Sequence, residues 1–209
     1  MRNSIIYILL VFLTTFASVS ASYREYIFKM PPSAVKMFSS EPQFHRTSWF
    51  MWRYNVTNII NLSYFSKRSM VGLYKDDRME RHHNPKGWYS LGISQTSAYI
   101  GYITPSMFDS FDYVASGYPL LLCDGEPQPL LRRRFYRRQC PRTAIGIHRD
   151  GSIIIFVTNR ASIRELQARM YEIGCRDALN FDGGGSTFLV HQRQRVIAST
   201  RSFPCVLAW

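Results

Sequence analysis

The sequence predicts a single α+β domain, with a mixed, largely antiparallel β-sheet core and flanking helices. Three observations carry that expectation. Short segments rich in Ile, Val and aromatic residues recur between glycine and Asp-Gly punctuation, the pattern of strands joined by turns. Two of these segments flank Asp150-Gly151, a strong hairpin signal because glycine accepts the positive φ that such a turn requires. One stretch repeats apolar residues at helical spacing between a start and a stop signal. No internal repeat or low-complexity linker divides the chain, and 209 residues suit one domain.

Residues 1–21 stand apart from that domain. Arg2 supplies a positive start, Ile5 to Phe16 carries no charge, and Ala17-Ser18-Val19-Ser20-Ala21 has the small residues of a cleavage site. The apolar stretch is short for a bilayer, and no Cys follows the cleavage site as a lipid attachment point. A cleaved signal peptide is expected, leaving residues 22–209 as the mature domain. The expected location is secreted or periplasmic, without a stable membrane anchor.

The elements then follow in order. Trp49-Phe50-Met51-Trp52 reads as part of a short buried helix, and Ile59-Ile60 as a strand that delivers Asn61 to a sheet edge. Trp88 to Leu91 and Ala98 to Ile100 are strand-like, as is Tyr118 to Leu122, which runs into an Asp124-Gly125 turn. Thr143 to His148 and Ser152 to Thr158 form the hairpin. Ser162 and Glu165 make a capping box, Ile163, Leu166, Met170 and Ile173 share one helix face, and Gly174 stops the helix. Ala178 to Phe181 is a strand entering a glycine loop, Phe188 to Val190 leaves it, and Arg195 to Ile197 pairs with that exit strand.

Composition narrows the partners. A formal net charge of +12 favours anionic ligands, and 15% aromatic residues suit a dense core or sugar-stacking platforms. The run Arg132 to Arg138 is either a contact for an anionic polymer or a solvated face. Beyond basicity there is no nucleic-acid recognition motif. Cys123, Cys140, Cys175 and Cys205 are an even set for an oxidising compartment, with Cys123–Cys140 and Cys175–Cys205 the expected disulfides. None has the C-x-x-C spacing of zinc or redox sites, and His82-His83 lacks a third ligand at recognisable spacing. Neither a metal nor a cofactor is expected.

The loop Asp182-Gly183-Gly184-Gly185-Ser186-Thr187 carries the chemistry. Three consecutive glycines cost chain entropy that a plain connection has no reason to incur, and they let a ligand approach the backbone N–H groups closely. Asp182 enters from a strand end, while Ser186 and Thr187 add hydroxyls. A P-loop needs Lys where Gly185 stands, and a serine nucleophile elbow needs Gly where Phe188 stands. Arg142, ahead of the hairpin strand, offers a planar fork of donors to phosphate.

Pro141-Arg142-Thr143-Ala144-Ile145-Gly146-Ile147, Asp150-Gly151, Gly174-Cys175 and Ala178 through Thr187 together resemble the phosphodiester glycosidase family. Ser116 to Leu121, Asp124-Gly125 and Arg201 extend the likeness, and Asn61-Leu62-Ser63-Tyr64-Phe65 is similar to an Asn-Gly-Gly-Phe-Phe segment with both glycines replaced. The resemblance implies hydrolysis of a sugar 1-phosphate linkage in a phosphorylated sugar or glycan. Asp182, Arg142 and Asn61 would be catalytic, and Thr143, Gly183, Gly184, Gly185, Ser186, Thr187, Tyr64 and Arg201 would contact substrate. Expelling a phosphate needs less general-acid help than expelling a sugar alcohol, so cationic stabilisation by Arg142 suffices. Ordinary glycosidases use a second carboxylate, for which Asp124, Asp150 and Glu126 are the candidates. The alternative is a non-catalytic binding protein for anionic envelope polysaccharide.

Overall fold

A computed structural model describes residues 22–66, 69–131 and 133–209; the expected signal peptide and Arg132 lie outside the described residues. In chain order the first half forms β1 (Glu25–Met30), β2 (Lys36–Ser39), α1 (Thr47–Tyr54), β3 (Ile59–Asn61), β4 (Tyr74–Lys75), β5 (Glu80–Arg81), β6 (Tyr89–Ile93), β7 (Ala98–Gly101), α2 (Pro105–Phe108), β8 (Tyr113–Gly117), β9 (Leu120–Cys123) and β10 (Glu126–Pro127). The second half adds α3 (Arg134–Arg137), β11 (Cys140–His148), β12 (Ile153–Ala161), α4 (Ile163–Glu172), β13 (Cys175–Asn180), β14 (Leu189–His191), β15 (Gln194–Ile197) and β16 (Cys205–Ala208).

Three sheets result, in the orders β1-β12-β11-β13-β9-β10, β15-β14-β3-β16-β2 and β5-β4-β8-β6-β7. Every strand pair among the described residues is antiparallel, so the α+β expectation holds and the sheet character is purer than "mixed". The β11–β12 hairpin forms where the sequence places it, with Ile147 opposite Ile153 and the turn at Asp150-Gly151. Side chains alternate across this hairpin because successive residues of a strand face opposite ways. Ile145, Ile147, Ile153, Ile155 and Val157 enter a central core shared with Ile60 and Leu207 of the second sheet and Leu91 and Ile93 of the third. Ala144, Ile154 and Phe156 face the other way, onto Ile163, Leu166 and Met170 of α4.

Helix α4 has its capping box: Ser162 Oγ accepts from the Glu165 N–H at 3.2 Å, and Glu165 Oε2 accepts from the Ser162 N–H at 2.7 Å. It stops at Gly174, whose φ is +89°. Helix α1 departs from expectation. Thr47 and Phe50 are buried, but Trp52 on the opposite side is 80% exposed, so one face of the helix packs and the other is open.

The expected disulfides do not form, and all four cysteines are free. Cys123 stands level with Ile147 of β11 through the β9–β13–β11 ladder, whereas Cys140 opens β11 at its other end. About seven residues of strand separate them, more than roughly 20 Å, against the ~7 Å between Cα atoms that a disulfide tolerates. Cys175 packs beneath α4 and Cys205 in the core between the sheets, on different sheets altogether. Burial pushes both of these thiols up to about 12, as expected for inert packing groups.

Two outcomes follow from this fold. Protein unfolded in denaturant without reductant should titrate four thiols with a chromogenic disulfide reagent; fewer would show a bridge. Ser162→Ala should lower the unfolding free energy by about 1 kcal/mol, measured by urea denaturation, because an α4 backbone donor loses its partner.

Candidate active site

The site forms where the first and second sheets meet, and a buried amide joins them. Thr143 on β11 donates its hydroxyl to Asn61 Oδ1 on β3 at 2.7 Å. The same oxygen accepts the Phe188 N–H at 3.1 Å, and Asn61 Nδ2 donates to the Asp182 carbonyl at 2.6 Å. Asn61 thus grips the glycine loop at both of its ends. The Phe181 N–H donates to the Thr143 carbonyl and the Asp182 N–H to the Leu62 carbonyl, so backbone bonds to both sheets flank that grip.

Between these anchors the chain tightens into a single 3₁₀ turn, Gly184–Ser186. Gly184 sits at φ +63°, a conformation that side chains make costly. Gly183 passes so close to β11 that a Cβ there would lie 3.2 Å from the Pro141 carbonyl and 3.5 Å from Arg142 Nη1. The C-terminal segment closes over the turn. Ser199 Oγ donates to the Gly185 carbonyl at 2.6 Å, and Arg201 Nη1 donates to Ser186 Oγ at 2.8 Å.

Arg142 is almost fully buried without an ion pair within 4.0 Å among the described residues. An irregularity in the β11–β12 pairing at Cys140/Arg142 is of the kind that re-aims a side chain. Its Nε donates to the Ala161 carbonyl at 3.2 Å, and Nη2 to the carbonyls of Arg138 (3.0 Å) and Phe135 (3.4 Å). The latter two belong to α3 and its end, where helix carbonyls lack intrahelical partners. The guanidinium carbon lies 5.3 Å from the Phe135 ring centroid, a cation–π contact.

Around these groups opens a cavity of about 210 Å³, lined by Tyr64, Phe135, Arg138, Cys140, Arg142, Asp182, Gly183, Gly184, Gly185 and Arg201. Of the residues expected from sequence, it brings together Asp182, Arg142, the three glycines, Tyr64 and Arg201. Asn61, Thr143, Ser186 and Thr187 are buried behind its wall. Asn61 and Thr143 therefore hold the loop in place from outside the cavity, and Ser186 acts through Asp182 and Arg201. Cys140 is an addition to the residues expected from sequence, and Phe135 and Arg138 come from the arginine run, two of whose residues α3 and its end bring to the cavity.

Arg201 and Arg142 act on one carboxylate in this cavity, which Arg138 also lines. Burial raises the Asp182 carboxyl above its ordinary 3.8, while the Ser186 hydroxyl, the Gly183 N–H, Arg201 and Arg142 pull the other way. Burial, with the Asp182 charge beside it, also pushes the Tyr64 phenol far up, so it remains a donor. Tyr64 Oη donates to the Tyr118 carbonyl and accepts from Asn180 Nδ2, both at 2.7 Å. The candidates for a second carboxylate lie elsewhere. Asp150 occupies the hairpin turn with Lys29 and His148, and Asp124 and Glu126 occupy the turn and strand after β9. Strand direction puts all three at the sheet end opposite Arg142. The excess of cationic donors suits an anion with several oxygens, such as a phosphate.

A family model described as phosphodiester glycosidase matches residues 54–207. No curated protein matches the sequence. Among solved structures, the chain is similar to the catalytic domain of zebrafish N-acetylglucosamine-1-phosphodiester alpha-N-acetylglucosaminidase, auto-inhibited by its pro-peptide. The TM-score is 0.83 at 17% identity, over 99% of this chain and 84% of that one. It is also similar to a hypothetical protein from Synechocystis, with TM-score 0.78 and 12% identity over 97% of this chain, but spans only 61% of that chain. A putative exported protein from Burkholderia pseudomallei K96243 gives 0.61 and 12% identity, over 89% and 73% of the two chains. At these identities the solved structures establish a shared fold.

The electrostatics give a sign that can be checked without substrate. A carboxyl raised by burial contributes stability below its unfolded value of 3.8 and loses it as pH rises through the folded value. Asp182→Asn should therefore melt above the wild type at pH 7, with the difference shrinking toward pH 3. Carbon-detected NMR should show Asp182 titrating above 3.8. Arg201→Met should move that titration higher still, since it removes a cation that favours the carboxylate; a downward move would contradict the assignment.

Proposed function

Because the chain belongs to the phosphodiester glycosidase family, we propose that its Asp182–Arg142 cavity hydrolyses a sugar 1-phosphate linkage in a phosphorylated sugar or glycan of the cell envelope or exopolysaccharide. The observation that carries this reading is a half-buried carboxylate, Asp182, in a cavity lined also by Arg138, Arg142 and Arg201, the last two acting on it directly. Such a site is matched to a reaction that develops negative charge on a phosphate and positive charge on a sugar ring.

In this reading the phosphate lies against Arg142 and Arg201, with Arg138 at the mouth, and the anomeric carbon lies toward Asp182. The bond from the anomeric carbon to the phosphate oxygen breaks, and its electron pair leaves with the phosphate, where the guanidinium groups offset the charge. Water adds to the anomeric carbon. Asp182, as carboxylate, either stabilises the cationic ring or takes the water proton. One carboxylate suffices because the leaving phosphate needs no strong acid. The cavity is smaller than the roughly 300 Å³ of the smallest drug-sized sites, so it takes one sugar–phosphate unit and leaves the acceptor outside. Arg2, the apolar stretch and the small residues up to Ala21 support placing this reaction outside the cytoplasm.

The name of the zebrafish structural relative specifies an N-acetylglucosamine 1-phosphodiester, which makes such a diester the first substrate to assay. Residues 22–209, incubated with an N-acetylglucosamine-phosphate-sugar diester or with UDP-N-acetylglucosamine, should release free sugar. Asp182→Asn should lower kcat/KM by roughly 10²–10⁴. Arg142→Lys, which keeps the charge but loses the planar donor set, should lower it by about 10² and should also lower the melting temperature, because the Ala161, Arg138 and Phe135 carbonyls lose these partners. Undiminished release by Asp182→Asn would defeat the assignment, and salt-sensitive binding with no release by wild type would favour the binding-protein alternative.

A further inference from the structure

A larger concavity than the Asp182 cavity lies along the open face of α1. It measures about 380 Å³, and none of its lining residues belongs to the Asp182 cavity. Ser48, Trp52 and Asn55 line one side, with Met51 and Thr47 behind them, and Arg193 and Arg195 of the β14–β15 hairpin line the other. Trp52 is 80% exposed, the most open of the large hydrophobic side chains described. No carboxylate lines the groove.

The hairpin tip is fixed before any ligand arrives. Arg193 Nη2 donates to Asn55 Oδ1 at 3.0 Å, the Arg193 N–H to the Thr57 carbonyl at 2.9 Å, and the Gln192 N–H to Asn58 Oδ1 at 2.8 Å. Three residues around the groove, Asn55, Gln192 and Arg193, hold positive φ values of 50°, 50° and 64°. These bonds fix Arg193 and the hairpin tip, and the β14–β15 pairing places Arg195 two residues further along the same wall of the groove.

We propose that this groove binds an anionic saccharide unit, independently of the Asp182 cavity. An exposed indole offers an apolar face on which the C–H face of a sugar ring stacks. Ser48 and Asn55 supply the hydroxyl and amide partners that sugar hydroxyls need. Arg193 and Arg195 supply planar forks for a carboxylate, sulfate or phosphate substituent. A lipid surface fits less well, because Trp52 and Met51 are the only large apolar side chains among the lining residues and polar groups surround them. On a glycan hydrolase, such a groove would hold a second stretch of the polymer while one linkage is processed.

Tryptophan fluorescence of residues 22–209 tests this with three probes: a polygalacturonate tetrasaccharide, a sulfated heparin tetrasaccharide and neutral cellotetraose. At least one anionic tetrasaccharide should bind and shift the emission, with cellotetraose about tenfold weaker or worse. Trp52→Ala and Arg195→Gln alter exposed side chains and should leave the melting temperature unchanged, yet each should weaken binding about tenfold. Higher salt should weaken it too. Asp182→Asn should bind as wild type does, which separates this groove from the hydrolytic reading. Failure of both anionic probes at millimolar concentration, equal binding of cellotetraose, or binding unchanged in both groove variants would overturn the proposal. So would a concentration-dependent dimer abolished by Trp52→Ala, which would assign the groove to a second copy of the chain.

Discussion

The side-chain amide of Asn61 is the constraint on which the site depends. It is buried where two sheets abut, and it takes one bond from Thr143 of the first sheet, takes another from the far end of the glycine loop, and gives one to the near end. Neither Asp nor Leu reproduces this pattern, because the position needs an acceptor with two occupied lone pairs and a donor on one planar group. Removing it leaves the Thr143 hydroxyl, the Phe188 N–H and the Asp182 carbonyl without these partners in the interior. Buried polar groups left unpaired cost about 1–3 kcal/mol each. The glycine turn has no hydrophobic residue of its own to hold it, so its shape is inherited from this amide and from the Ser199–Arg201 segment that closes over it.

Once the loop is held, the cavity's charge follows from two kinds of burial. Asp182 is drawn toward its neutral form by desolvation and toward its charged form by Ser186, the loop N–H and two arginines. Arg142 is buried with Nε and Nη2 directed at carbonyls, which satisfy these donors without placing an opposite charge beside them. A carboxylate partner would have satisfied Arg142 equally well but would have cancelled its field within the cavity. The surplus positive charge of the whole chain acts in the same direction at longer range.

Much of this was legible in the residues because it is encoded locally. The Asp150-Gly151 turn, the Ser162/Glu165 box, Gly174 and the Asp182 to Thr187 loop each announce themselves within a few positions, and the chain folds as they indicate. What was not legible depends on where strands end relative to one another. The spacing of Cys123 and Cys140 suggests a closed loop, but an intervening strand, β13, sets their levels far apart. Asp124, Asp150 and Glu126 have suitable chemistry, yet strand direction sends them to the wrong end. Asn61 and Thr143 look like site residues but lie one layer behind the cavity wall, where they hold the glycine loop; nothing in a sequence separates a side chain that lines a cavity from one that holds the loop lining it. The α3 arginines read equally well as a solvated face, and only the carbonyl contacts of Arg142 reveal why this short helix covers the cavity.

Those carbonyl contacts have a further consequence, for the entropy of recognition. A free arginine side chain carries about 2 kcal/mol of rotamer freedom that binding an anion would ordinarily remove. In Arg142 that freedom is already gone when the chain folds, since the Ala161 carbonyl holds Nε and those of Arg138 and Phe135 hold Nη2. The remaining nitrogen, Nη1, is therefore presented to the cavity in one orientation. Any selectivity of this group would be geometric, since Nη1 is the one nitrogen of Arg142 without a carbonyl partner among the described residues and its direction is fixed.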